Sequence, residues 1–259
     1  MTTACKSSGA MCGSLAAVRL TALACVIAAL SCGCAPHAGA THAAPPPAAV
    51  PAAAEQLGRA YRVDPAASLL EIRAYRAGPL ASLGHNHVIA AHDLEGVVHV
   101  NADVKASACE LRIASAALTV DEPQLRVDAG AEFAAPVPQS ARDGTRQNML
   151  GEAVLNAAQF PIIELKCVGL AATTVKGQLR ADVQASIRGA RHVISLDLRY
   201  ELTDTRLTVD GETPLKQTTL GITPFSVMLG ALQVQDQLEV RIHLVAVCGA
   251  PSSASKPCA

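Results

Sequence analysis

Apolar and polar side chains alternate in short runs along most of the chain, with turn residues between the runs. In the run 108–120, Cys109, Leu111 and Ile113 are separated by charged residues, and the run 161–173 repeats this pattern. A period of two residues is typical of a β-strand with one buried and one solvated face. We therefore predict strands at both places, each with its apolar side facing a core.

Comparable runs recur through the region that we assign to one folded domain, residues 59–248. They span 68–76, 87–102, 174–187, 190–202, 205–216 and 236–247. Together they indicate about eight antiparallel strands. A two-sheet sandwich would satisfy this pattern, but a closed barrel is favoured because closure removes exposed strand edges.

One stretch has helical rather than strand periodicity. In 140–160, apolar residues such as Leu150, Val154 and Ala157 recur at intervals of three and four residues. Asp143 is a candidate N-cap, and Pro161 would end the helix. The pattern therefore predicts an all-β fold with one inserted helix, and of the two architectures the eight-stranded antiparallel barrel is the more economical. That helix would act as a lid over the barrel mouth or plug an open end of the core.

The first 34 residues are typical of a secretory signal. Lys6 and Arg19 are the charged residues before the apolar run 20–30, which is too short for the ~20 residues that a bilayer span requires. The segment ends in ALSCGCAP, an imperfect lipobox in which Cys32 or Cys34 would be lipidated. A plain cleaved signal is the alternative. Either outcome predicts a periplasmic or secreted protein, with membrane anchoring if the cysteine is lipidated.

The segments flanking the domain have the composition of connectors. Residues 35–58 are rich in alanine and proline with almost no charge, so we interpret them as an extended linker, and 249–259 as a flexible tail. After residue 34 the chain carries 19 basic and 22 acidic residues, a net charge of −3. This slightly acidic balance makes nucleic acid an unsuitable partner.

Four of the nine cysteines fall after the signal. Cys109 and Cys167 both lie on the apolar faces of predicted strands. If these strands are neighbours, the two thiols would form a disulfide inside the barrel; otherwise they are separate small apolar side chains. Cys248 and Cys258 are close enough in sequence to close a loop in the tail.

The stretch GHNHVIAAH contains the main candidates for chemistry. His85 and His87 would point to the same face of a strand, where they could bind Zn²⁺ or Cu²⁺, contact the polar end of a ligand, or simply face solvent. A metal site would need a third ligand, for which the candidates are His92, His99, His192 and Asp93. The domain contains none of the common hydrolase, zinc-protease, P-loop or dinucleotide-binding motifs, so nothing indicates an enzyme.

Four stretches, taken in order, resemble the YceI-like family of secreted bacterial proteins. They are YRVDPAASLLEI, RDGTRQNMLGEAVLNAAQFPIIELK, GQLRADVQASIRGARHVISL and PLKQTTLGITPFSVMLGALQVQDQLEVRIHLVA. The resemblance spans about 61–247. It implies a lipocalin-like barrel enclosing an apolar cavity, and a binding or carrier role for a polyisoprenoid or an isoprenoid quinone, with no required cofactor and no established catalytic residues. A subgroup of the family carries a Gly-His-x-His stretch like GHNH.

The chain departs from many family members in its few aromatic residues: three Phe, three Tyr and no Trp. Alanine and valine in their place would either widen or collapse the lumen. The candidate ligand-binding residues are the large apolar side chains outside the strict strand pattern: Phe133, Met149, Leu150, Phe160, Phe225, Met228 and Leu229. The leading prediction is an isoprenoid-lipid carrier. The alternative is a periplasmic metal-binding protein, with or without enzymatic activity, that uses His85 and His87. The sequence leaves the oligomeric state open.

Overall fold

The computed structural model describes residues 58–248. The predicted signal (1–34), the possible lipidation sites Cys32 and Cys34, all but the last residue of the linker, and the tail with Cys258 lie outside this range. The strands are β1 (Arg59–Val63), β2 (Leu69–Ala74), β3 (Arg76–Ala77), β4 (His87–Ala91), β5 (Leu94–Val100), β6 (Ala108–Ala114), β7 (Thr119–Val120), β8 (Ile162–Ala172), β9 (Gln178–Ile187), β10 (Ala190–Leu202), β11 (Arg206–Lys216), β12 (Ser226–Val227), β13 (Leu232–Val234) and β14 (Gln237–Cys248). The helices are α1 (Pro123–Ala129) and α2 (Gln139–Leu150).

The main sheet closes on itself. Its order is β1-β5-β6-β8-β9-β10-β11-β14, and β14 pairs with β1 to complete the ring, with every pair antiparallel. Strand β2 continues β1 after a short 3-10 turn and pairs with the other half of β14. Similarly, β4 and β7 extend the ring beside β2. The predicted eight-stranded antiparallel barrel is confirmed.

The alternation read from the sequence sets the inner and outer faces of the wall. Leu111 pairs with Leu165, and Ile113 with Ile163, across β6 and β8. All four side chains point into the barrel, while the charged residues between them point outward. Because neighbouring strands keep this register, the apolar faces form one continuous inner surface.

The helical region differs from the prediction. Helix α2 begins at Gln139 and ends at Leu150, and the residues up to 160 form turns. Gly151 ends the helix, and Asn156 adopts a positive φ of 46° that a helix cannot contain. Asp143 lies inside the helix, where it accepts a hydrogen bond from Gln139. Helix α1, which the sequence analysis did not predict, follows β7 directly and begins at Pro123.

A small second sheet, formed by β3, β12 and β13, stands beside the end of the barrel where β4 begins. Its loops expose the large apolar side chains of Met228 and Leu229, both of which have left-handed backbone angles. Within residues 58–248, neither helix has the length and hydropathy needed to cross a bilayer.

Candidate functional site

The barrel encloses a cavity of about 900 Å³. This volume is at the upper end of the range for small-molecule sites, about 300–1,000 Å³. The lining consists mostly of leucine, isoleucine and valine, and every strand of the ring except β1 contributes to it. Tyr200 and Phe225 are its aromatic members other than histidine among the described residues. The scarcity of aromatic residues has therefore left an open lumen with aliphatic walls.

One glycine in the wall lets a neighbouring leucine pack directly against the backbone. Gly211 pairs with Leu198 of the neighbouring strand, and a Cβ atom at this position would come within 2.4 Å of the Leu198 Cδ2 atom. Leu196, Leu198 and Gly211 all line the cavity. The Leu198 side chain therefore occupies the space that a side chain at position 211 would need.

Helix α2 covers one end of the barrel. Ala141, Thr145, Asn148 and Met149 line the cavity, and their spacing of three and four residues places them on one face of the helix. Arg146 connects the helix to the segment before β7, because its side chain donates hydrogen bonds to the backbone carbonyls of Ala116 and Leu118. This helix brings two polar side chains, Thr145 and Asn148, to a mostly aliphatic surface.

His87 lies at the same end, at the start of β4, and lines the cavity. Its Nδ1 atom lies 2.6 Å from Oδ2 of Asp121, and its Nε2 atom lies 3.3 Å from Oγ1 of Thr145. Asp121 is brought there by the β4–β7 pairing, which places it opposite Val88, whose amide donates to the other carboxylate oxygen at 3.0 Å. The imidazole is therefore held between a carboxylate and a helix hydroxyl.

Arg126 also binds the carboxylate of Asp121. Its Nη1 atom donates to Asp121 Oδ1 at 2.6 Å, and the side chains of both residues are almost fully buried. The guanidinium also donates to the backbone carbonyls of Asn86, Phe133 and Ala135. Burial opposes ionisation of Asp121, but the hydrogen bonds from His87 and Val88 outweigh it, so the pKa of this carboxyl is below its usual value. Asp121 is thus a carboxylate.

His85 also lines the cavity, and its ring centroid lies 6.2 Å from that of His87. It precedes β4 rather than belonging to it. Burial lowers the pKa of His85, and the nearby His87 and Arg126 lower it further. His85 is therefore a neutral polar group at the mouth of the cavity at neutral pH.

The two histidines are not joined by a third metal-binding side chain. Within residues 58–248, no group of three or more His, Cys, Asp or Glu side chains is placed to hold a metal ion. Asp121 binds the Nδ1 atom of His87, so it does not converge with Nε2 on a common point. Of the third-ligand candidates, His92 instead pairs with Glu122, while His99 and His192 belong to β5 and β10.

Two of the seven predicted ligand-binding residues, Met149 and Phe225, line the cavity. The other five, Phe133, Leu150, Phe160, Met228 and Leu229, do not. Met228 and Leu229 are exposed at the tip of the loop beside the second sheet. Phe160 packs against Gly189 at the turn between β9 and β10.

Phe133 is almost fully buried, but on the outside of the barrel wall. Its ring lies below the guanidinium of Arg73, which alternates along β2 with the cavity-lining Ile72 and Ala74 and so faces outward. Tyr75 contacts the same ring edge-on, with the centroids 5.5 Å apart. Phe133 therefore secures the segment after α1 to the wall.

Cys109 and Cys167 are joined by a disulfide across β6 and β8, with their Cα atoms 5.0 Å apart. Both residues line the cavity. The pairing proposed for Cys248 with Cys258 involves a residue outside the described range.

Sequence reasoning missed Asp121, Arg126, Thr145 and Asn148. Asp121 stands before Glu122 and Pro123, a pattern that indicates a turn or a helix start. The available signal was the position of Asp121 directly after an apolar strand run, next to a helix that begins with proline. This signal does not identify His87 as the hydrogen-bond partner of Asp121, because the two residues are 34 positions apart in sequence.

The fold and the site define a class of protein: closed antiparallel β-barrels that enclose an aliphatic cavity with a polar cluster at one end. Residues 61–246 match the family model described as the YceI-like domain. The chain belongs to the YceI-like family.

Two solved structures share this fold. BcnA from Burkholderia cenocepacia is 14% identical with a TM-score of 0.53, and the match covers 71% of this chain and 99% of BcnA. A polyisoprenoid binding domain from Saccharophagus degradans, implicated in plant cell wall breakdown, is 13% identical with a TM-score of 0.50, covering 74% and 99%. No curated protein matches the chain in sequence.

Proposed function

We propose that this protein binds and carries an apolar isoprenoid-type lipid, a polyisoprenoid or an isoprenoid quinone, inside its barrel. The observation that carries the proposal is the continuous aliphatic cavity of about 900 Å³. Transfer of apolar surface from water into such a site is favourable by roughly 25 cal/mol per Å². The polyisoprenoid binding domain from Saccharophagus degradans, which shares this fold, supports this class of ligand.

A binding role suits the site better than catalysis. Asp121, His87 and Thr145 stand in the order carboxylate, imidazole, hydroxyl, which also occurs in catalytic triads. Thr145, however, lies in the middle of α2, where backbone amides are engaged in the helix. The amides next to Thr145 are therefore not free to stabilise an oxyanion beside its hydroxyl.

We further propose that the protein works in the periplasm or outside the cell, anchored to a membrane if Cys32 or Cys34 is lipidated. The signal-like segment 1–34 supports export. The Cys109–Cys167 disulfide agrees with an oxidising compartment, where such bonds persist.

The test is to purify the full chain under native conditions and identify bound organic molecules by mass spectrometry. We expect an isoprenoid species at close to one molecule per protein. Leu196→Trp should abolish co-purification, since Leu196 projects into the lumen beside Gly211. Val193→Trp is the matched control, because Val193 lies on the same strand but is 58% exposed. Equal lipid content in both variants would contradict binding in the barrel.

A further inference from the structure

The polar cluster at the α2 end of the cavity has a defined hydrogen-bonding polarity. The carboxylate of Asp121 can only accept hydrogen bonds, so the His87 Nδ1 atom at 2.6 Å must carry a proton. The other carboxylate oxygen is occupied by Arg126 and by the Val88 amide. The contact with Asp121 therefore fixes the orientation of the His87 ring and the proton on Nδ1.

The other ring nitrogen of His87 is on the cavity side, since His87 and Thr145 both line the cavity. With the Nδ1 proton directed at Asp121, Nε2 is the ring nitrogen left to accept a hydrogen bond. The hydroxyl of Thr145 is 3.3 Å from Nε2, a long contact that a ligand hydroxyl can replace.

Three arginines lie near the cluster. Arg126 binds Asp121 and three backbone carbonyls, and it does not line the cavity. Arg142 donates to the backbone carbonyl of Asp121 at 3.4 Å. Arg76 is the only arginine or lysine among the described lining residues, and its Nη1 atom donates to the Gly84 carbonyl at 2.7 Å. An anionic head group placed at His87 would meet an acceptor nitrogen rather than one of these cations.

We propose that His87 Nε2 accepts a hydrogen bond from a hydroxyl group at the polar end of the ligand, with Asp121 and Arg126 as positioning residues. The ligand class is a prenyl chain that ends in a hydroxyl, such as a polyprenol or a prenylated hydroquinone, rather than a prenyl phosphate. This inference rests on the proposed lipid-binding function and specifies which lipids the cavity selects.

The experiment compares three probes with the same chain: geranylgeraniol, its methyl ether and its monophosphate. Each is supplied to the delipidated full-length protein from cyclodextrin, and binding is measured by equilibrium dialysis. The alcohol should bind about 3- to 10-fold more tightly than the ether, the range expected for one net hydrogen bond. The monophosphate should bind more weakly than the alcohol.

Two variants test the role of His87. His87→Leu should bind the alcohol and the ether equally, because the acceptor is lost while the apolar surface remains. His92→Leu is the control, since His92 is partly exposed and pairs with Glu122 outside the cavity; it should keep the wild-type preference for the alcohol.

The outcomes separate the two proposals. Failure of all three probes to bind would count against lipid carriage itself. Equal binding of alcohol and ether to the wild type would leave carriage intact and overturn the assigned acceptor. Tightest binding of the monophosphate would also overturn it, in favour of an anion site. Because the wild type alone gives these results, they do not depend on whether a variant folds.

Discussion

Asp121 shows how one residue can connect fold and site. Its carboxylate binds Arg126, the Val88 amide and His87, and its backbone amide donates to the Val88 carbonyl. Its positive φ of 56° turns the chain from β7 towards α1, an angle that aspartate tolerates better than most residues. The same side chain therefore orients a cavity histidine and joins the first helix to the barrel.

Replacement of Asp121 by asparagine should destabilise the protein. At pH 7, Asp121→Asn leaves the buried Arg126 without its counter-charge, and loss of one partner of a buried pair costs about 3–5 kcal/mol. The folded-state pKa of Asp121 is lowered below 3.8. The carboxylate therefore stabilises the fold above that pH, and its contribution is lost as the pH falls through the folded-state pKa. Urea unfolding at several pH values should show the difference from wild type shrinking in acid.

Asp197→Asn is the matched control, because Asp197 pairs with Arg180 on the surface, where both side chains are more than half exposed. Its effect on the free energy of unfolding should stay within about 1 kcal/mol, as for other exposed pairs. A similarly small loss for Asp121→Asn would show that the buried pair contributes little to stability.

At the level of elements, the barrel wall is built from interrupted strands. β1 and β2 are separated by a 3-10 turn, and both pair with β14. The breaks let the β4 end of the wall extend towards α1 and α2, which is where the polar cluster forms. The long strands β8 to β11 supply the opposite side of the cavity without such interruptions.

The crosslink between β6 and β8 should contribute substantially to stability. Cys109 and Cys167 are 58 residues apart in sequence, and closure of a loop of that length in the unfolded chain is worth typically 2–4 kcal/mol. Cys109→Ala should therefore lower the free energy of unfolding by that amount in guanidinium titrations. The double replacement with Cys167→Ala should cost little more, since either change removes the same bond. Two small, additive losses would instead indicate separate buried thiols.

At the scale of the whole domain, the barrel in residues 58–248 encloses a cavity of about 900 Å³ with mostly aliphatic walls. The chain has few aromatic residues, and leucine, isoleucine and valine supply most of this lining. Such an interior offers dispersion contacts along a flexible apolar chain, while the cluster around His87 offers polar contacts at one end.

Occupation of the lumen should raise the stability of the entire barrel. A ligand present at about 100 times its dissociation constant stabilises the folded state by roughly 2.7 kcal/mol. For a domain of this size that corresponds to a rise of about 5–10 °C in melting temperature. Calorimetry of delipidated protein with and without geranylgeraniol should show this rise. Leu196→Trp should abolish it and Val193→Trp should not; an unchanged melting temperature for the wild type would argue against an internal site.

The strands and their apolar faces could be predicted from sequence because the evidence for them is local, whereas the same pattern also suits a two-sheet sandwich. The alternation of Cys109, Leu111 and Ile113 with charged residues identifies the face that enters the cavity, whatever strand lies next to it. The helix was predicted less well: its apolar spacing continues to residue 160, yet Gly151 ends it. The apolar residues beyond that point, Val154 and Leu155, line the cavity from turns instead.

The candidate site depended on contacts that no local pattern encodes. The two histidines could be identified from the GHNH stretch, and Met149 and Phe225 from their apolar character. Phe133 and Leu229 have the same apolar character, however, and lie outside the cavity. The meeting of His87 with Asp121, Arg126 and Thr145 requires the β4–β7 register and the position of α2. Side-chain periodicity follows from the backbone of a single strand, whereas the choice of partners follows from how distant strands and helices pack. The sequence pattern by itself therefore determined the strands of the barrel wall and their inner faces. Only the tertiary structure decided which polar side chains meet at one end of the cavity.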